Sequence, residues 1–195
     1  MLRFIGFYDY TVILTYASLL SAIAGMALSA KSCFTAAVLC LMFSGFCDAF
    51  DGTVARSKKN RTEDEKAFGI QIDSLCDAVS FGVFPAVLCY HLGTDGIPGM
   101  LCMGIFSLCA VIRLGFFNVT ESKRQQTEGG SNKVYRGMPV TTSALLFPFT
   151  YLLRFVLPAA FFRVLLHMVL LVSAFLFILD FSVKKPDIQK LFVKK

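Results

Sequence analysis

Residues 33–66 read CFTAAVLCLMFSGFCDAFDGTVARSKKNRTEDEK. From Cys33 to Cys47 there is no charge. Asp48 and Asp51 then interrupt the run, and a polar, basic loop follows. A stretch of about 20 mostly apolar residues is long enough to cross a bilayer, so 33–55 reads as a transmembrane helix that ends in acids. Carried outward, the same criterion finds six spans, at 11–30, 33–55, 67–91, 97–118, 138–157 and 159–180. Their joints are SKKNRTEDEK (57–66), HLGTDG (91–96), a Gly-, Ser- and Lys-containing loop (119–137) and LPAA (157–160). The expected fold is an all-α integral membrane bundle of about six transmembrane helices, forming a single domain over 1–195.

The composition agrees. The chain is 56% hydrophobic with 21 Phe, and only 16% of it is charged, against about 25% in soluble domains. Nineteen Lys and Arg against thirteen Asp and Glu leave a net charge of +6. No basic patch is interleaved with exposed aromatics, so the excess suits anionic lipid head-groups and excludes nucleic acid as a partner. Seven cysteines without a CxxC pair read as small buried hydrophobes. The opening MLRFIGFYDY reads as an interfacial segment with Arg3 and the tyrosines at head-group level. The apolar run after it lacks a cleavage site and counts as a retained span. His91 and His167 have no zinc-ligand spacing and read as structural.

Positive charge sets the expected orientation. Arg56, Lys58, Lys59, Arg61 and Lys66 surround the joint at 57–66. Lys123, Arg124, Lys133 and Arg136 surround the joint at 119–137, and Lys184, Lys185, Lys190, Lys194 and Lys195 fill the tail. The other joints carry Lys31 and, in HLGTDG, no Lys or Arg; Arg154 and Arg163 run against the pattern. The expectation is a multi-pass protein of the cell membrane with both termini cytoplasmic.

This orientation brings two acidic pairs together. Asp48 and Asp51 lie near the cytoplasmic end of the second span, and Asp73 and Asp77 in the first turns of the third. At 1.5 Å rise per residue, Asp77 sits about 12 Å along the helix from Gly69. Spacings of i, i+3 and i, i+4 put each pair on one helix face, with Gly52 and Ala55 beside the first and Gly69 beside the second. Converging carboxylates in a lipid-shielded place need protons or cations. Oxygen-only ligands suit a hard divalent ion, Mg2+ or Mn2+, and two such ions about 4 Å apart can clamp a diphosphate. Arg56 follows the first pair as a forked phosphate donor or an ordinary basic flank.

The pattern Asp48-x-x-Asp51-Gly52-x-x-Ala55-Arg56, then Gly69-x-x-x-Asp73-x-x-x-Asp77, resembles the signature of the CDP-alcohol phosphatidyltransferases. One departure is the spacing between Arg56 and Gly69: twelve residues here, about eight commonly in the family. Added length in a charged loop costs little. Within the family, GIQIDSLCDAVSFGVFPA (69–86), RLGFFN (113–118) and YRGMPVTTSA (135–144) resemble the small multispan phosphatidylserine synthases. The likeness covers about 45–150.

The resemblance implies CDP-diacylglycerol and L-serine as substrates and phosphatidylserine and CMP as products. Asp48, Asp51, Asp73 and Asp77 would be ligands to two divalent ions, with Asp77 also the general base. Gly52, Thr53, Ala55, Arg56 and Gly69 would line the nucleotide, and a homodimer is implied. A serine carboxylate calls for a guanidinium, for which Arg113, with Asn118 and Arg136, is the candidate; Arg113 could equally pair with a structural carboxylate or carbonyl. Glycerol 3-phosphate or an inositol phosphate as acceptor, or an archaeal-type lipid donor, would keep the same chemistry. A cation transporter would also use intramembrane acids, but would show inverted repeats, and the sequence has none.

Overall fold

A computed structural model describes residues 6–8, 10–58, 60, 62–127 and 134–184. Among the described residues seven α-helices carry the fold: α1 (Ile13–Ala30), α2 (Phe34–Ser57), α3 (Glu63–Asp77), α4 (Phe84–Leu92), α5 (Gly96–Thr127), α6 (Ser143–Leu152) and α7 (Ala159–Ile178). A π-helical segment, Ala78–Val83, fuses α3 to α4, so that Glu63–Leu92 forms one span. Among the described residues five helices are long and apolar enough to cross a membrane. The expected span at 138–157 is a shorter helix, Val140–Phe155, with 3-10 turns at both ends and Pro148 inside. A proline removes an intrahelical hydrogen bond and crowds the preceding turn.

Two joints differ from the sequence reading. The loop expected at 57–66 is shorter, because α2 runs to Ser57 and α3 begins at Glu63. A reciprocal capping box starts α3: Glu65 N–H donates to Thr62 Oγ1, and Thr62 N–H to Glu65 Oε2. The fourth span continues past 118 to Thr127, through the helix-favouring run ESKRQQT. Val134–Arg136 then pairs antiparallel with Ser182–Lys184, tying the segment before α6 to the segment after α7. Arg3, Lys59, Arg61, Lys133, Lys185, Lys190, Lys194 and Lys195 lie outside the described residues.

Helices α1 and α2 form a tight antiparallel hairpin, turned through Ser32 at φ +60°. Small and hydroxyl residues allow the close approach. Ser21 Oγ donates to the Cys40 carbonyl, Ser44 Oγ to that of Ser18, and Thr15 Oγ1 to Asp51. Gly25 accepts the buried Phe84 ring of α4 where a Cβ would collide with it. The core joins these helices to α5, α6 and α7 through Phe106, whose ring centroid lies 5.5 Å from that of Phe147 and 5.4 Å from that of Phe177. The cysteines are all free thiols; five are buried, Cys40 is half-buried and Cys33, at the start of α2, is exposed.

Candidate functional site

The acids sit where the α2 and α3 helices face each other. The chain keeps α-helical geometry from Phe34 to Ser57 and from Glu63 to Asp77, so each acidic pair occupies one helix face. Oxygens of Asp48, Asp73 and Asp77 all lie within 4.8 Å of one another. The Asp48 carboxyl lies beside that of Asp77, and that of Asp51 beside Asp73. Asp77 is buried and the other three are half-buried. Asp73 Oδ1 is buried without a hydrogen-bond partner. Four acids held this close, with a lone oxygen among them, form a donor set that suits hard cations.

The π-helical turn begins directly after Asp77. Such turns occur mostly as single interruptions of α-helices, often at functional sites. Here it follows the acids directly, carries Phe81 and leads into Phe84, both fully buried core residues. Its Ser80 is also fully buried and accepts from Ser18 Oγ of α1 at 3.4 Å.

The remaining sequence-predicted residues divide by position. Gly52, Thr53, Ala55 and Arg56 occupy the α2 turns after Asp48 and Asp51, and Gly69 lies one turn before Asp73 on α3. Asn118 of α5 reaches the site helix directly, accepting from Ser74 Oγ at 2.7 Å. Arg113 lies five residues earlier on α5, about 7.5 Å along the axis. Its Nε donates to the Met138 carbonyl at 3.3 Å, and with Asp180 and Phe116 it borders a cavity of about 220 Å³. Gly137, at φ +67°, lets the backbone pass close to that guanidinium, and its N–H donates to the Phe181 carbonyl. Arg136 lies in the strand Val134–Arg136 beside this turn. The histidines hold structural bonds: His91 Nδ1 to Ser29 Oγ, and His167 Nδ1 to the Arg163 carbonyl.

Sequence reasoning missed Thr15 and Ser74. Thr15 comes from α1, which the acidic motif does not touch, yet its hydroxyl donates to Asp51 at 3.4 Å. A lone hydroxyl in an apolar run carries no readable signal. Ser74, next to Asp73, could have been flagged by its place inside the motif.

A helical membrane protein that gathers carboxylates from two neighbouring helices into one cation-suited cluster belongs to a narrow class. The profile of the CDP-alcohol phosphatidyltransferase family matches residues 10–181, and the chain belongs to that family. It is similar to the CDP-diacylglycerol–serine O-phosphatidyltransferase of Saccharomyces cerevisiae, 37% identical over 113 residues covering 56% of this chain and 40% of that protein. The enzyme of the same description from Bacillus subtilis is 35% identical over 120 residues, 59% of this chain and 61% of that protein. The archaetidylserine synthase of Methanothermobacter thermautotrophicus is 34% identical over 149 residues, 75% of this chain and 60% of that protein. The matched part of the chain thus spans 40 to 61% of the length of these three relatives.

Proposed function

We propose that this chain, as a single CDP-alcohol phosphatidyltransferase domain, transfers the phosphatidyl group of CDP-diacylglycerol to the hydroxyl of L-serine. The products are phosphatidylserine and CMP. The observation that carries the reading is the cluster of Asp48, Asp73 and Asp77 oxygens within 4.8 Å, at positions whose pattern resembles the family's signature. The names of the similar proteins support serine as acceptor.

The unpartnered Asp73 oxygen and the all-carboxylate donor set fit a divalent metal. Asp48, Asp51, Asp73 and Asp77 would hold it, as two ions of Mg2+ or Mn2+. When bound, the metal supplies positive charge that offsets the diphosphate and the acids together. Asp77, the most enclosed of the four, takes the proton of the serine hydroxyl as general base. The freed oxygen bonds to the phosphorus that bears the diacylglycerol, and the bond from that phosphorus to the CMP oxygen breaks. Gly52, Thr53, Ala55, Arg56 and Gly69 line the CDP side, where the small residues leave room for the nucleotide to approach the backbone. Arg113, Asn118 and Arg136 orient the serine; the Asn118 bond to Ser74 supports the nearness of α5 to the acids.

The same reading puts the site and both termini on the cytoplasmic side of the cell membrane, where the basic loops belong and where serine and CMP are dissolved. The implied homodimer is part of the proposal and is read out by chemical crosslinking in the membrane. The long alignment with an archaetidylserine synthase favours a second reading in which only the donor's lipid part changes. The test is an acceptor and donor panel on the purified chain with Mn2+. Labelled serine and CDP-diacylglycerol should yield labelled phosphatidylserine and CMP, and a chelator should stop both. Turnover with glycerol 3-phosphate or an inositol phosphate but not serine overturns the acceptor. Turnover only with a CDP-activated ether lipid selects the second donor.

A further inference from the structure

Arg154 and Arg163 break the charge pattern of the sequence, and the fold brings them together. Both border a cavity of about 560 Å³ with Tyr90, His91, Asp95 and Phe162. This cavity lies at the end of the bundle opposite the acids. Tyr90 is thirteen residues beyond Asp77 on the same continuous span, about 20 Å away along the axis.

Both arginines are exposed residues that rest against the protein surface. The Arg154 guanidinium lies over the Phe34 ring, 5.0 Å from its centroid. The Arg163 stem crosses Gly93, where a Cβ would come within 3.1 Å of its Cγ, and Gly93 itself sits at φ +130°. Neither guanidinium makes an ion pair with a described residue, Asp95 included. Between them starts α7, whose N-cap residue Pro158 offers no side-chain cap to the first free N–H groups; a helix N-terminus favours an anion.

We infer that this cavity is a second anion site, separate from the acidic cluster, that takes a phosphate group between Arg154 and Arg163. Two forked donors match the geometry of phosphate oxygens. His91 is turned by its Nδ1 bond to Ser29, so any contact it makes with the ligand falls to Nε2. The two guanidiniums outnumber the Asp95 carboxylate, which weakens the site without closing it. The phosphate can belong to a lipid head-group of the leaflet facing this end or to a free anion.

The test compares wild type, Arg154→Gln/Arg163→Gln and Asp95→Asn as full-length protein. One arm counts retained lipid by native mass spectrometry from nanodiscs of phosphatidylglycerol or of phosphatidylcholine. The other follows thermal stabilisation by inorganic phosphate in detergent. The expected result is anion binding that falls about tenfold or more in the double variant and tightens in Asp95→Asn. Retention of phosphatidylglycerol alone assigns the lipid source, and stabilisation by phosphate alone assigns the free anion; each supports the site. Equal binding by wild type and the double variant overturns it, as does wild-type binding of neither probe. If the double variant does not purify, the Asp95→Asn arm decides: tighter binding supports the site, unchanged binding rejects it.

Discussion

The span Glu63–Leu92 and the span Gly96–Thr120 are neighbours of similar hydrophobic character, but the protein treats them differently. Of the apolar stretch in the first, 56% is buried inside the protein; in the second, 22% is. The first carries Asp73, Asp77 and the π-helical turn, and it touches α1, α2, α5, α6 and α7. The second presents Leu101, Ile105, Leu108 and Ile112 outward, as a face suited to lipid. The contrast teaches where a membrane bundle can keep acids. Charge in lipid is costly: Asp73 and Asp77 lie on the most enclosed span, Asp48 and Asp51 lie on a span only 28% buried but meet them there, and the least enclosed span is left to meet the hydrocarbon.

That contrast can be broken most severely at Asp77. Replacing a general base costs about 10²- to 10⁴-fold in turnover. Asp77→Asn should therefore lose serine transfer by that factor while the purified protein keeps its helical circular dichroism and elutes as wild type. Turnover within a few-fold of wild type would remove Asp77 from the proton-transfer role. A second comparison sets two glycines against each other. Gly25 faces the buried ring of Phe84, whereas a methyl group added at Gly104 on α5 would meet nothing within 4 Å. Gly25→Ala should destabilise by about 1–3 kcal/mol through overpacking, and Gly104→Ala should stay within about 0.5 kcal/mol; melting in detergent measures both. Equal effects would dissolve the distinction between enclosed and lipid-facing helices. The smallest effect belongs to the link between the two spans. Ser74→Ala removes a 2.7 Å bond to Asn118 and should cost about 1 kcal/mol of stability, with the KM for serine rising if α5 positions the acceptor.

Much of this was legible in the residues. The apolar runs give the helices, and the i, i+3 and i, i+4 spacings give the faces of the acids, because helical periodicity is a local property. The start of α3 was legible too. Thr62 and Glu65 spell a capping box, and reading 57–66 wholly as loop overlooked a signal that was present. The end of α5 was harder, since a polar, helix-favouring run after an apolar one reads equally well as loop. The shortening of the 138–157 span follows from Pro139 and Pro148 only once the neighbouring turns are seen.

By itself, then, the sequence determined that this is a helical membrane protein and that two helices each carry a pair of acids on one face. Those facts follow from hydrophobic run length and from 3.6 residues per turn, which need no knowledge of distant residues. Only the tertiary structure decided that Asp48, Asp73 and Asp77 come within 4.8 Å of one another, that Thr15 of α1 joins Asp51, and that Arg154 and Arg163 share a cavity at the far end. Each depends on how helices rotate and pack against each other. That rotation is set by small residues such as Gly25 and by the fit of rings such as Phe84, contacts between positions 59 residues apart in the chain.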